Sequence, residues 1–108
     1  MSEPERVTAE EVYGKSKSGK ALLVCAYEDE EKFKKLQLEG AISLSAFKSK
    51  IPSLSKDQEI VFYCGWHKEA TAAGQAAKYI AMGYTDVKCL AGGVEAWRKA
   101  GYPLVNTE

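Results

Sequence analysis

The chain has 108 residues, 15 basic against 15 acidic side chains, one histidine, three cysteines and 45% hydrophobic residues, which suits one domain, residues 1–108, with its own core. Zero formal net charge, with no Lys/Arg cluster lacking neighbouring acids, gives no electrostatic support for nucleic-acid or membrane-surface binding, and the hydrophobic content argues against disorder. No apolar run approaches the roughly 18 residues of a spanning helix, and the start MSEPERVTAEE has no apolar signal-peptide segment, so a cytoplasmic protein with reduced thiols is expected.

Taken in chain order, Thr8 with Glu11 forms a capping box, and Val7 with Val12 occupies the hydrophobic-staple positions. A helix over about 9 to 17, ended by Ser18-Gly19, is predicted. Ala21 to Cys25 is a continuous apolar run, the pattern of a strand covered on both faces of a parallel sheet. From Asp29 to about Leu38, Glu30/Lys34 and Glu31/Lys35 are spaced for i,i+4 pairing, with Phe33 and Leu36 as the apolar stripe of an exposed helix. Gly40 to Leu44 reads as a short strand and Ala46 to Lys50 as a helical turn stopped before Pro52. Ile60 to Cys64 is a second buried strand. Glu69 to Met82 is a helix with Ala73, Ala76, Ala77 and Ile80 on one face and Gly83 as its stop. Val87 to Leu90 is a third strand, Gly92-Gly93 a turn, and Val94 to Ala100 a last helix ended by Gly101 and Pro103. Such alternation predicts an α/β three-layer domain, a mostly parallel sheet with helices on both faces.

Ligands of such sheets bind beyond the carboxyl ends of the strands, which draws attention to Cys64. It ends a buried strand and precedes Gly65-Trp66-His67-Lys68 and a helix. Unpaired N–H groups and the positive end of the macrodipole at a helix start favour a thiolate, and equally an anion or persulfide on it. The competing reading is a small apolar residue packed at a strand end.

From about Ala21 to Pro103 the sequence resembles the rhodanese family. The resemblance rests on the strand ending in Tyr63-Cys64, the Ala-rich helix closing at Met82-Gly83-Tyr84, the stretch Val87-Lys88-Cys89-Leu90-Ala91-Gly92-Gly93-Val94-Glu95-Ala96-Trp97, and Gly101-Tyr102-Pro103. It implies a rhodanese-like fold and a sulfurtransferase activity without cofactor or metal. Cys64 would be the catalytic nucleophile, carrying sulfane sulfur as a persulfide from thiosulfate, polysulfide or a protein persulfide to cyanide, a thiol or an acceptor protein. Gly65, Trp66, His67, Lys68, Glu69 and Ala70 would form the substrate-binding loop.

The chain departs from the family pattern at three places. The Asp-Val-Arg that rhodaneses place after the first buried strand is replaced around Val24-Cys25-Ala26-Tyr27, and the Gly-His-Ile-Pro-Gly-Ala stretch by Leu36-Gln37-Leu38-Glu39-Gly40-Ala41. The loop after the cysteine ends in Glu69-Ala70-Thr71 rather than Arg-Ser, so Lys68 and Glu69 roughly cancel and backbone N–H groups remain to bind an anion. His67 could stabilise the thiolate or donate a proton. Cys25 is a candidate second thiol, able to receive sulfur or to pair with Cys64; Cys89 is the weaker candidate. Rhodanese-fold phosphatases and arsenate reductases close a longer loop with Arg, but position 70 is Ala. The remaining alternative is a non-catalytic or redox-sensing binding module on the same fold.

Overall fold

The computed structural model describes residues 5–27, 29–35, 37–64, 70–102 and 104. Its elements are β1 (Glu5–Val7), α1 (Ala9–Lys17), β2 (Ala21–Cys25), α2 (Glu30–Lys35), β3 (Ala41–Ile42), α3 (Leu44–Lys50), a 3-10 turn (Ile51–Ser53), β4 (Glu59–Tyr63), α4 (Ala70–Ala81), β5 (Val87–Leu90) and α5 (Gly93–Lys99). The strands form one five-stranded sheet in the order β1-β5-β4-β2-β3, with every pairing between them parallel.

Alternation along the strands sorts the core into two layers. Val24, Ile60, Phe62, Val87 and Cys89 point to one face, covered by Leu44 and Phe47 of α3 and by Ala72, Ala76 and Tyr79 of α4. Leu23, Cys25, Val61, Tyr63 and Leu90 point to the other, covered by Ala9 and Val12 of α1 and by Val94 and Trp97 of α5. On the first face Phe62 stacks on Tyr79 at 5.6 Å between ring centroids, with Phe47 edge-on to both. On the second, Trp97 is fully buried beneath Tyr13 and Tyr102.

The expected α1 is present with its capping box. Thr8 Oγ1 accepts from the Glu11 N–H at 3.2 Å, and Glu11 Oε1 accepts from the Thr8 N–H at 3.1 Å. Several other expectations need correction. The edge strand β1 is additional to the expected strands, because three residues with only Val7 buried leave no periodic signal in the sequence. Among described residues α2 stops at Lys35, and Leu38 is buried in an antiparallel bridge to Leu104 instead of continuing the helix. The strand expected over 40 to 44 is only Ala41–Ile42, because Ser43 caps α3 by accepting from the Ala46 N–H at 3.0 Å. The helix therefore begins at Leu44. On α4 the inward stripe is Ala72, Ala76 and Tyr79, while Ala77 is exposed. Small residues at 72 and 76 let the helix lie close to the sheet, with Tyr79 filling the space beyond them. The expected start of that helix at Glu69 lies outside the described residues.

Candidate active site

The connections decide where on the sheet a site can form. The chain moves from β1 to β2 and on to β3 through α1 and α2, reverses to β4 through α3, and continues to β5 through α4. Because parallel crossovers are right-handed, reversing the direction of travel moves the covering helices to the other face, as the two cores show. At the carboxyl ends of the adjacent strands β2 and β4 the outgoing chains therefore part to opposite sides. That divergence is a topological switch point, where open α/β sheets form their ligand crevices.

Cys64 stands at this point. The ladder continues past β4, with the Ala26 N–H donating to the Tyr63 carbonyl at 2.8 Å, so Ala26 and Cys64 are level at the sheet edge. Cys64 is 1% exposed and packs in the α3/α4 core. Its carbonyl accepts from the Val94 N–H at 3.1 Å, which ties the strand end to the first turn of α5. The turn into this helix requires glycine. Gly92 has φ 77° and its missing Cβ would stand 2.7 Å from Ala96 Cβ, so neither the dihedral nor the space suits a side chain. Trp97, one turn further along α5, anchors the helix in the core.

The three thiols lie on adjacent strands, none in a disulfide, but they do not share a face. Cys25 pairs in register with Tyr63 and lies with it in the α1/α5 core, whereas Cys64 and Cys89 lie in the α3/α4 core. Burial pushes the Cys25 thiol up, opposed by hydrogen bonds from the Tyr27 backbone and the Tyr63 side chain. The Tyr63 hydroxyl also accepts from the Leu38 N–H at 3.4 Å, and burial drives its pKa well above the ordinary phenolic value. Cys25 thus stands at the expected sheet edge, but its side chain belongs to a packed polar contact on the opposite side from Cys64.

Of the residues expected to form the binding loop, Gly65, Trp66, His67, Lys68 and Glu69 lie outside the described residues, and Ala70 is described only as the backbone start of α4. Beside α3 lies an open depression of about 480 Å³ whose described walls are Leu44, Ser45, Lys48 and Ser49. A short serine-rich helix with lysines at 48 and 50 and no acid was the only sequence signal of it.

Comparison with known proteins places this geometry. The rhodanese-like domain family matches residues 8–100. Among solved structures, the BH2092 protein from Bacillus halodurans is 28% identical with a TM-score of 0.79, covering 96% of this chain and 78% of that one. The rhodanese-like domain of an Anabaena protein is 18% identical with a TM-score of 0.75, covering 98% of this chain and 81% of that one. The thiosulfate sulfurtransferase from Pseudomonas aeruginosa is 24% identical with a TM-score of 0.76, covering 93% of this chain but only 19% of that one. Comparison with curated proteins gave no match. With the family match spanning most of its length and a five-stranded parallel sheet flanked by helices to go with it, the chain belongs to the rhodanese-like domain family.

Proposed function

We propose that the protein is a sulfurtransferase that carries sulfane sulfur as a persulfide on Cys64. The observation that carries this reading is the position of Cys64: the carboxyl end of β4, at the switch point of the sheet and ahead of α4. The amino end of a 12-residue helix favours a thiolate and then the negative charge of the persulfide.

The Cys64 thiolate attacks the outer sulfur of the donor. With thiosulfate the S–S bond breaks and sulfite leaves with its electron pair; with polysulfide or a protein persulfide the shortened sulfur chain leaves. An acceptor, whether cyanide, a thiol or the thiol of an acceptor protein, then attacks the terminal sulfur, and Cys64 departs as thiolate. Electrons balance without a cofactor. In this reading Trp66, His67, Lys68 and Glu69 belong to the substrate-binding loop, with His67 as proton donor or cation. The cytoplasm, where thiols stay reduced, is the proposed location.

Loading the protein with thiosulfate or polysulfide and weighing it tests the reading: one added sulfur atom on wild type and none on Cys64→Ser is the expected result. A Cys64→Ser protein that keeps half of the wild-type transfer rate would falsify the assignment. A protein that never gains sulfur points to the redox-sensing module instead. With Lys68 and Glu69 cancelling, thiosulfate should be a poorer donor than polysulfide. Glu69→Arg should raise kcat/KM for thiosulfate about ten- to a hundredfold through a bidentate, charge-assisted contact, and unchanged turnover in that variant would count against the electrostatic account.

A further inference from the structure

We propose that Tyr27 is a specificity-determining residue of the Cys64 site: its ring, held by Lys32, roofs the end of the sheet at Cys64 and limits the bulk of the sulfur donor that reaches the thiol. As a statement about donors this rests on the proposed function; as a statement about access to Cys64 it does not.

Packing places the ring. The sheet stands between the two buried clusters, and among the described residues Tyr27 is the one partly buried side chain that packs against both. A side chain touches both layers only by passing around an edge of the sheet. β2 is not a lateral edge, since β4 and β3 flank it, so the ring passes around its carboxyl end. The neighbouring β3 leaves room there: it stops at Ile42, level with Val24, and Ser43 turns the chain into α3.

Cys64 lies at the same end. Tyr27 follows Ala26, whose N–H donates to the Tyr63 carbonyl at 2.8 Å, and Ala26 and Cys64 share one buried cluster. Neighbouring strands are about 4.8 Å apart and successive residues about 3.3 Å, so Tyr27 leaves the sheet roughly 6 Å from Cys64, a separation that an aromatic side chain spans. Its backbone is held there, because the Tyr27 N–H donates to Cys25 Sγ. The ring is held as well, with Lys32 Nζ 5.0 Å from its centroid. Lys32 is exposed, so one side of the ring looks outward under the ammonium while the other lies on the core. Cys64 itself is 1% exposed, and a reagent reaches it only where its cover admits one.

Such a cover selects by size. A slender donor, thiosulfate or an unbranched polysulfide, brings its outer sulfur in past the ring, whereas an aromatic or branched donor needs the ring moved aside. Moving it gives up dispersion contacts with both layers and the cation–π attraction of Lys32. The four acids Glu28, Asp29, Glu30 and Glu31 precede Lys32 in the sequence, so the selection is by bulk and not by a net positive field. In the transfer, the Cys64 thiolate bonds to the outer sulfur of the donor and the S–S bond behind that sulfur breaks. Sulfite leaves thiosulfate, and a sulfinate leaves a thiosulfonate, with the electron pair.

Two measurements on the full chain test this. N-methylmaleimide and N-phenylmaleimide share one electrophile and differ in bulk, and peptide mapping reads their rates at each thiol separately. At Cys64 the ratio of the phenyl to the methyl rate should rise about tenfold in Tyr27→Ala and about twofold in Lys32→Gln, and hold its wild-type value in Tyr27→Phe. Cys89, which pairs with Phe62 within the sheet, is the control. Cys89 labelled as fast as Cys64 in Tyr27→Ala would mean general loosening and overturns the proposal, as does an unchanged ratio at Cys64 in that variant. The second measurement reads the ratio of kcat/KM for benzenethiosulfonate over that for thiosulfate as donor, which should also rise about tenfold in Tyr27→Ala. An unaltered donor ratio in a variant that loads sulfur overturns the specificity role. If neither donor loads Cys64, the sulfur-transfer reading fails, and the maleimide ratio still decides whether Tyr27 roofs the thiol.

Discussion

At the amino edge of the sheet, Glu59 receives Lys88 at 3.0 Å and Lys15 at 3.2 Å, and Lys88 also meets Asp86 at 3.1 Å. At the carboxyl edge, the last residue of each strand and the one after it carry no charge: Val7-Thr8, Cys25-Ala26, Ile42-Ser43, Tyr63-Cys64 and Leu90-Ala91. One edge is closed by paired ions and the other ends in sulfur and small groups beside helix starts. The contrast separates roles: charge at the amino edge contributes to stability, while at the carboxyl edge the described strand ends bring no charge next to Cys64.

The largest effect expected from that division is on activity alone. Cys64→Ser should lose sulfur transfer entirely while its thermal midpoint stays close to wild type, since Ser replaces Cys at nearly constant volume. A calorimetric scan beside the sulfur-loading measurement checks both halves. A fall of many degrees in that variant would mean that Cys64 is primarily a packing residue.

Next comes a substitution that should damage both functions of the carboxyl edge. Trp97→Ala removes a fully buried indole held edge-on by Tyr13 at 5.5 Å and Tyr102 at 5.4 Å, at an expected loss of about 3–5 kcal/mol. Because α5 supplies the Val94 N–H to the Cys64 carbonyl, the surviving folded fraction should also load sulfur more slowly. Urea titration and single-turnover loading separate the two, and normal loading at reduced stability would detach α5 from the site.

How much of this was legible before the structure follows from the range of the forces involved. Thr8/Glu11 capping is local, so α1 was readable to the residue. The apolar runs at Ala21–Cys25 and Ile60–Cys64 announced buried parallel strands because both of their faces are covered, although β4 itself runs Glu59–Tyr63. Register and strand order are long-range, and so the sequence alone could not show that Cys25 lies in the buried cluster of Tyr63 and Leu38 while Cys64 lies in that of Ala72 and Leu44. Nor could it show that Lys48 borders a depression, or that Glu59 and Lys88, 29 positions apart, would meet.

At the amino edge the expected effect is smaller and confined to stability. Burial opposes the charged form of Glu59, but the hydrogen bonds from Lys88 and Lys15 outweigh it and hold the carboxyl below its ordinary value of 4.5. Lys88, likewise disfavoured by burial, is held above 10.5 by Glu59 and Asp86. A depressed carboxylate contributes stability present above its unfolded pKa and lost as pH falls through the folded one. A raised lysine contributes stability present below its unfolded pKa and lost as pH rises through the folded one. The network should therefore help most between about pH 5 and 10, the window those two ordinary values bound. Glu59→Gln should lose about 1–2 kcal/mol at pH 7, allowing for the half-exposed Lys15, and almost nothing at pH 3, with sulfur transfer intact. Equal losses at both pH values would assign the effect to packing.

The smallest expected effect is that of Cys25 on the chemistry of Cys64. Cys25 and Tyr63 are in register, so Cys64 is one residue beyond the partner of Cys25, and alternation turns the two side chains to opposite faces, as their separate core clusters show. Adjacent strands lie about 4.8 Å apart, within the Cα limit of about 6.8 Å for a disulfide, yet sulfurs directed away from each other cannot close the bond without turning a strand end. Cys89 shares the face of Cys64 but pairs with Phe62, two residues earlier, so the diagonal separation is roughly 8 Å, past the same limit. Oxidised Cys64 therefore has no resolving thiol within the fold. Under mild peroxide it should proceed to sulfinic acid, or be captured as a mixed disulfide when an external thiol is present. Peptide mapping should find no Cys25–Cys64 or Cys64–Cys89 linkage, and Cys25→Ser should leave the rate of over-oxidation unchanged. A linked Cys25–Cys64 peptide in substantial yield would show that the end of β2 or β4 turns over in solution, and would restore Cys25 as a working thiol.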